Sequence, residues 1–415
     1  MIKNFFLTAF RNVFKNWSYS AINIIGLSTG LAAIIYITLF VQFELGYDKF
    51  HEKEEDIYRV GVYGMMMNNE INQAVTAAPM AEAMINDYPE VVTACRLRES
   101  GDWLIRYGDV KFNEKEFLFA DTTFFDVFSF NLIKGDPKTA LKEPNNIVMT
   151  ETGAKKYFGN DNPIGKMLRV ESDTALYELV GLMEDPPENS HFHFDLLGSM
   201  ARIPNSRNTF WVSHNFYTYI QLKPGTDPEA FTEKMQLMID KYVGPQIEQV
   251  LGINMEEFAA SGNSFSYFIQ PVYDIHLHSD LQYEIETNGN ILYVFIFISI
   301  AIFILVIASI NFTNLATARA SNRSKEVGIR KVVGAMKKQL VLQFLTESFI
   351  ITLISLTAAI VILELFMPAL NNMVQIPLNI DYFSFWYIVP SLLLLILLVI
   401  SWLYSIFDAY RAGKK

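Results

Sequence analysis

Polar and apolar positions alternate along this chain on two length scales. Four stretches are apolar over long runs: Tyr19–Phe43, which holds no charged residue, Ile291–Ile310, Phe344–Met367 and Phe385–Phe407. About 20 such residues cross the hydrocarbon core of a bilayer as a helix. The first run is too long for the apolar region of a cleaved signal peptide and ends in Gln42, Phe43 and Glu44, so it reads as a retained helix. Within it, Gly26 and Gly30 have the GxxxG spacing that lets another helix approach closely. Asn311 and Asn314 close the second run, where they can hydrogen-bond across helices.

Between the first two runs the period shortens. Ile57–Tyr63, Val91–Leu97, Phe117–Ala120, Tyr177–Met183, Tyr217–Leu222 and Phe265–Val272 have strand character. Pro79–Asp87, Thr150–Phe158 and Asp227–Tyr242 have helical spacing, with caps expected at Thr150 and Asp227. The order is mixed, which predicts small α/β subdomains in place of one doubly wound sheet. Glu184–Asn189, reading EDPPEN, is the strongest internal break.

The expected fold is therefore an α-helical membrane protein with four transmembrane helices and a large α+β domain inserted between helices 1 and 2. Phe6, Phe10, Val13, Phe14 and Trp17 give residues 1–18 the pattern expected of an amphipathic interface helix, which the plain flank of a membrane helix would show as well. Helices are expected over 19–43, 290–316, 343–367 and 385–408. The domain fills 44–289, and a cytoplasmic loop fills 317–342. A short outer loop over 368–384 and a tail over 409–415 complete the layout.

Charge orients this layout. The formal net charge is −11, but its sign is segregated: residues 44–289 carry about −19. Lys3, Arg11 and Lys15 precede the first helix without an acid, and the 317–342 loop holds Arg319, Arg323, Lys325, Arg330, Lys331, Lys337 and Lys338 against Glu326 alone. Short basic loops resist translocation, so the loop and both termini belong in the cytoplasm and the acidic domain outside. Within the loop Val327, Ile329, Val332 and Val333 alternate with the cations, and Gly334 follows as a helix stop. Retention of positive charge does not explain that apolar surplus. A short amphipathic helix does, lying on lipid headgroups or docking in a groove of a soluble partner. The loop lacks the aromatic interleaving of a nucleic-acid site.

Candidate chemistry is sparse. No G-x-x-x-x-G-K-[ST] is present, and Gly165-Lys166-Met167 lacks the upstream glycine and following hydroxyl that cradle a phosphate. Serine-hydrolase, HExxH and CxxC motifs are absent too. The single cysteine, Cys95, excludes an intrachain disulfide and reads as a small core residue. On a strand, His191/His193 and His276/His278 would each offer two imidazoles on one face. With no third ligand identifiable, ordinary hydrogen bonding is the reading adopted, and neither metal nor cofactor is expected in this chain. Glu347 and Glu364 lie near the ends of the third run, where a carboxylate reaches water.

RSKEVGIRKVVGA followed by QFLTES resembles the coupling region of the FtsX-like ABC permease family, which includes MacB-type exporters and lipoprotein-release permeases. INIIGLSTGLA, YDKFHEKEEDIYRV, FFDVFSFNLIKGDPKTAL, IVMTETGAKKYFGNDNPIGK, EDPPENSHFHFD and DIHLHSDLQYEIETNGN are similar to the MacB-type exported domain. The resemblance implies a permease subunit in a bacterial inner membrane. Its partners would be a dimer of cytoplasmic ABC ATPases, which bind ATP and magnesium, and a second permease copy or half. Membrane lipid and a periplasmic adaptor or outer-membrane channel complete that set, and nucleic acid does not belong to it. The exported domain would have a porter-like part and a second, more variable one.

Carried onto this chain, Ser324–Ala335 would meet the ATPase. Lys325, Glu326, Arg330 and Lys331 would give polar contacts, Val327, Ile329 and Val332 the apolar face, and Ser324, Gly328, Val333, Gly334 and Ala335 the rest of the segment. Motion driven by ATP would then reach the exported domain and export or extract a substrate outside the membrane. Activation of cell-wall hydrolases and transmembrane signalling are the alternatives within this resemblance. Many relatives repeat the whole unit, whereas this sequence holds one and ends in LYSIFDAYRAGKK without the expected proline and basic segment. It would be a half unit needing a second copy, or a piece of a longer duplicated chain.

Overall fold

A computed structural model describes Arg11 and residues 17–170, 175–322, 329, 332 and 337–380. The chain divides into a helical unit, Met1–Phe43 with Ile291–Lys415, and an α+β unit, Glu44–Asn290.

In the helical unit α1 runs Trp17–Glu44. Leu27, Leu31, Ile35 and Leu39 repeat every four residues along one of its faces and are buried together with Ile351, Leu356, Ala359 and Leu363. Among the described residues three helices are long and apolar enough to cross a membrane, over Ser20–Glu44, Ile291–Asn311 and Phe349–Val374. The fourth helix expected, over 385–408, lies outside the described residues, as do the interface helix before Trp17 (apart from Arg11) and the tail.

The α+β unit begins with strands β1 (Ile57–Met66), β2 (Asn69–Gln73) and β3 (Thr76–Ala77), helix α2 (Met80–Asp87) and strand β4 (Val91–Glu99). Strands β5 (Trp103–Tyr107), β6 (Val110–Glu114) and β7 (Phe117–Ala120) follow, then the single turn α3 (Phe124–Val127) and β8 (Leu132–Lys134). Next come β9 (Asn146–Thr150), α4 (Glu151–Phe158), β10 (Met167–Val170), β11 (Leu176–Met183), β12 (Leu196–Ser199) and β13 (His214–Leu222). The unit closes with α5 (Pro228–Met235), α6 (Gly244–Leu251), α7 (Met255–Ala260), β14 (Ser264–Pro271) and the turn α8 (Ile275–His278). Two long helices then complete the helical unit: α9 (Ile291–Asn322) and α10 (Lys337–Val374).

Local chemistry accounts for the ends of these elements. Thr150 accepts from Gly153 N–H at the start of α4, and Asp227 accepts from Glu229 N–H before Pro228 opens α5. Asn254 and Glu257 form a capping box on α7 that the sequence reading had no place for. β1 is buried over its first six residues because β13 and β14 flank it. β11 alternates exposed and buried positions, as a half-covered strand does.

The strands correct one expectation. In place of separate small sheets, hydrogen bonds run in one path, β14-β1-β13-β4-β7-β12-β9-β11-β10-β5-β6, with β2, β3 and β8 as side branches. Only the cores are separate. One gathers Met80, Met84, Ile220, Phe231 and Tyr267 beneath α2 and α5. A second is built on Phe124, Phe128, Phe130, Phe192 and Phe194, and a third on Phe117, Tyr157, Leu168 and Tyr177. Glu184–Asn189 is not a boundary between them. It joins β11 to β12 and is tied down, since Asp48 N–H donates to Asn189 O at 2.8 Å and Asn189 Nδ2 to Gly46 O at 2.6 Å. A Pro-rich polar run has the same composition whether it links two bodies or turns between two strands.

A second correction concerns the outer loop expected over 368–384. Helix α10 continues through Pro368 to Val374, a position for proline that membrane helices tolerate. Helices α9 and α10 also extend beyond the loop boundaries expected at 316 and 343.

Candidate functional site

In the helical unit, a Cβ placed on Gly26 would stand 3.3 Å from Asn311 Nδ2, and one on Gly30 would stand 3.4 Å from Ala308 Cβ and 3.5 Å from Ile304 Cγ2. Both glycines of the GxxxG pair thus face α9, and Phe40 packs on Phe297 further along at 4.9 Å. Asn314 is exposed. Of the segment expected to meet an ATPase, Ile329 and Val332 are helical in backbone and largely exposed, at 65% and 89%. Ser324, Lys325, Glu326, Val327, Gly328, Arg330, Lys331, Val333, Gly334 and Ala335 lie outside the described residues.

In the α+β unit the decisive residue is Arg59. Its strand neighbours are Tyr219 on β13 and Gln270 on β14, so the three side chains share a face. At 1% exposure its guanidinium needs full pairing, because removing that charge from water is costly. Glu284 takes it in a bidentate grip, Nη1 to Oε2 and Nη2 to Oε1, while Nη2 also donates to Gln270 Oε1 at 2.8 Å and Ser279 Oγ at 2.7 Å. Segment 279–284, just ahead of α9, is therefore bolted to β1, the strand that β13 and β14 flank.

The segment that leaves α1 is held as firmly. Asp48 is fully buried with φ +58°, a conformation most side chains avoid. Its Oδ1 accepts from the backbone N–H of His191 at 3.2 Å and lies 2.8 Å from His191 Nδ1. Nε2 of the same imidazole meets Tyr219 Oη at 2.7 Å. His51 Nδ1 accepts from Ser129 N–H at 3.2 Å, among Phe50, Phe128 and Phe130. Burial pulls the His51 pKa down to about 4 against the field of Asp48, so this imidazole is neutral.

His193 behaves oppositely. Burial opposes its charge, but the hydrogen bonds and charge of Glu286 outweigh that and hold its pKa above the ordinary value. Burial likewise disfavours the Glu286 carboxylate, and the bonds from His193 win, leaving its pKa low. Both ends of the unit then meet. His276 Nε2 lies 3.0 Å from Glu44 Oε2, and the Tyr47 ring stacks on His276 at 3.3 Å. A Cβ on Gly289 would fall 2.7 Å from His276 Nε2 and 3.0 Å from Glu44 Oε2, so only glycine lets the chain pass. Residues 44 and 289, where the chain arrives from α1 and leaves for α9, are one contact apart.

The histidine pairs do not work as pairs. His191 and His193 occupy a loop and serve different carboxylates, and His276 and His278 sit on one helical turn, with His278 exposed beside Asp274 at 3.4 Å. Among the described residues no group of three His, Cys, Asp or Glu is arranged to hold a metal. Cys95 is buried on β4, and burial pushes its thiol well up. Glu364 is exposed on α10. Sequence reading passed over Arg59, Asp48, Glu44 and Glu284. A signal was there for Arg59, as a lone cation inside the apolar run IYRVGV requires a buried partner.

Comparison with known proteins bears on both units. Residues 20–237 match the model of the MacB-like periplasmic core domain, and residues 298–412 that of the FtsX-like permease C-terminal region. The uncharacterized ABC transporter permease YknZ of Bacillus subtilis (strain 168) is 24% identical over 208 residues, which are 50% of this chain and 45% of YknZ. A macrolide export ATP-binding/permease protein MacB of Mannheimia succiniciproducens is 24% identical over 295 residues, 70% of this chain and 40% of that protein. The chain thus spans less than half the length of these relatives. The solved periplasmic region of MacB from Actinobacillus actinomycetemcomitans aligns with 52% of this chain and 90% of its own, at 13% identity and a TM-score of 0.33. With one family model covering more than half of the chain and the second covering its C-terminal helices, this chain belongs to the MacB-like, FtsX-like family of ABC transporter permeases.

Proposed function

We propose that this chain is the motion-transmitting subunit of an inner-membrane ABC system, with its α+β unit in the periplasm and both termini and the 317–342 loop in the cytoplasm. A partner ATPase supplies the energy, binding ATP and magnesium. One observation carries the reading. The ends of the α+β unit are fastened to each other through Glu44, Tyr47, His276 and Gly289. The segment leading to α9 is also fastened to β1, next to the end of the strand path, through Arg59 and Glu284. In this reading a displacement delivered by α1 and α9 reaches a single foot, and the α+β unit moves as a body. Export or extraction of a substrate at the outer face of the membrane follows from such a stroke without a pore through the bilayer. A second permease copy or half completes the pair that the ATPase dimer grips, and a periplasmic adaptor or outer-membrane channel would receive the substrate.

The handle in this reading is Ser324–Ala335, with Ile329 and Val332 as the exposed apolar pair. Reversing charge by Arg330→Glu with Lys331→Glu is expected to abolish co-purification with the cognate ATPase and to lower ATPase stimulation about ten-fold or more, a coupling loss of roughly 1.4 kcal/mol or greater. Co-purification of the reversed protein at full stoichiometry would overturn the assignment.

A further inference from the structure

A cavity of about 540 Å³ opens in the α+β unit beside β2 and β13, within the range of roughly 300–1,000 Å³ that small-molecule sites occupy. Met66, Ile71, Val75, Val212 and Phe265 give it an apolar wall, and a few polar groups converge on it: Gln73, Arg98, Glu99 and His214. The segment that leads into α9 contributes Tyr283. We propose that this cavity binds an amphipathic organic anion, with its apolar body against Ile71, Val212 and Phe265 and its charge on Arg98, and that the occupant bears on the segment entering α9.

The charge follows from how each polar group is already engaged. The Arg98 guanidinium is half-buried over the Phe216 ring at 5.2 Å and pairs with no carboxylate among the described residues. It is the cation left over in the cavity, with donors to give. Glu99 is already engaged, because it accepts from Tyr217 Oη at 3.0 Å, and burial raises its pKa with the field of Glu286 adding to the effect. His214 is not a second cation, since burial pulls it down to about 4. As a neutral ring between Gln73 Oε1 at 3.0 Å and Trp211 O at 3.2 Å, it has one proton for two acceptors. Turning the Gln73 amide resolves this conflict and leaves its carbonyl oxygen elsewhere.

The link to α9 is geometric. Tyr283 is 65% exposed and holds φ +61°, a strained conformation for an aromatic residue. Its neighbour Gln282 is laced to β2, with Gln282 N–H donating to Asn72 O at 2.7 Å and Ala74 N–H to Gln282 O at 3.0 Å. Glu284 on the other side grips Arg59. An occupant touching Tyr283 thus loads a segment fixed at both neighbouring positions, eight residues before α9 begins. This goes beyond the permease reading: binding is measured without nucleotide or ATPase, so either proposal can fail while the other stands.

The test uses the full chain in lipid nanodiscs and three probes with one body, followed by fluorine NMR: 4-(trifluoromethyl)benzoate, the neutral benzamide and the cationic benzylamine. The benzoate is expected to bind about ten-fold tighter than the benzylamine, as a charge-assisted pair gives. Arg98→Gln should erase that preference, and Val212→Trp or Ile71→Trp, filling the cavity, should remove binding. Hydrogen exchange at Ala74 and Gln282 should slow with benzoate bound, and exchange on β9–β11 should stay unchanged in every variant that has folded. A preference for the benzylamine, benzoate binding that survives both tryptophan variants, or no benzoate binding at millimolar concentration would each overturn the proposal.

Discussion

The two units of this protein treat buried polar groups in opposite ways. In the α+β unit they are joined over long stretches of chain. Arg59 reaches Glu284, Arg96 binds Asp121 together with the carbonyls of Ala78 and Ser206, and Lys156 bridges Glu114 and Asp195. Some atoms there lack partners too: Asp48 Oδ2, His51 Nε2 and Arg59 Nε belong to side chains bonded through another atom, whereas the buried Tyr267 hydroxyl has no partner among the described residues. In the helical unit Ser28, Thr38 and Ser355 return their hydroxyls to their own helix. Among the described residues Ser20, Ser309, Thr313 and both amide atoms of Asn23 are buried with no hydrogen bond. One unit is thus fixed by specific pairs and the other by the fit of leucines and glycines. A body that must move whole needs the first kind of bonding, and helices that must change neighbours are cheaper to move with the second.

That contrast can be broken most severely at Glu284. Glu284→Ala leaves Arg59 charged and buried with weaker partners, and should cost the α+β unit about 3–5 kcal/mol. Urea unfolding read by hydrogen exchange on β1, β13 and β14 measures it, and a loss below about 1 kcal/mol would mean the grip is not what fixes the unit.

Acid tests the same unit more gently. His51 and His214 titrate near 4 when folded and near 6.5 when unfolded, so the unfolded chain binds more protons between those values. Their stabilisation is fully present above pH 6.5 and lost as pH falls toward 4, on the order of 3 kcal/mol for each. His193–Glu286 runs the other way at its upper end: with His193 raised, its contribution is present below about 6.5 and lost as pH rises through the folded value. Melting temperature against pH should therefore fall on the acid side, and His51→Gln with His214→Gln should flatten that limb.

The smallest effect belongs to the helices. Asn23→Leu removes an unbonded amide and should leave stability unchanged or raise it by about 1 kcal/mol in nanodiscs. A loss of stability would show that Asn23 has a partner and that the helical unit is pinned like the other.

How far the sequence could be read follows from the same physics. Strand positions were legible where burial writes a period of two directly into β11, and α1 was legible as an apolar run long enough to cross a bilayer. The caps at Thr150 and Asp227 were legible because they act on residues two and three along. The single strand path was not, because pairing β9 with β11 in parallel and β12 with β9 in antiparallel is decided across the fold. The junction was half legible. Arg59 announced a need, while Glu284 could be matched to it only once β14 had placed Gln270, and the end of α8 had placed Ser279, nearby. EDPPEN was read as a break because its composition reports a turn and says nothing of Gly46 and Asp48, which hold it.

Single-cysteine labelling on opposite sides of the bilayer tests the transmission scheme at its root. In a bacterial host with a permeabilised outer membrane, Lys138→Cys on the exposed surface of the α+β unit should react with an impermeant maleimide. Val332→Cys, exposed in the basic loop, should react only after the inner membrane is opened. Reaction of both from the same side would place the handle and the body it is meant to move in one compartment, and contradict the scheme.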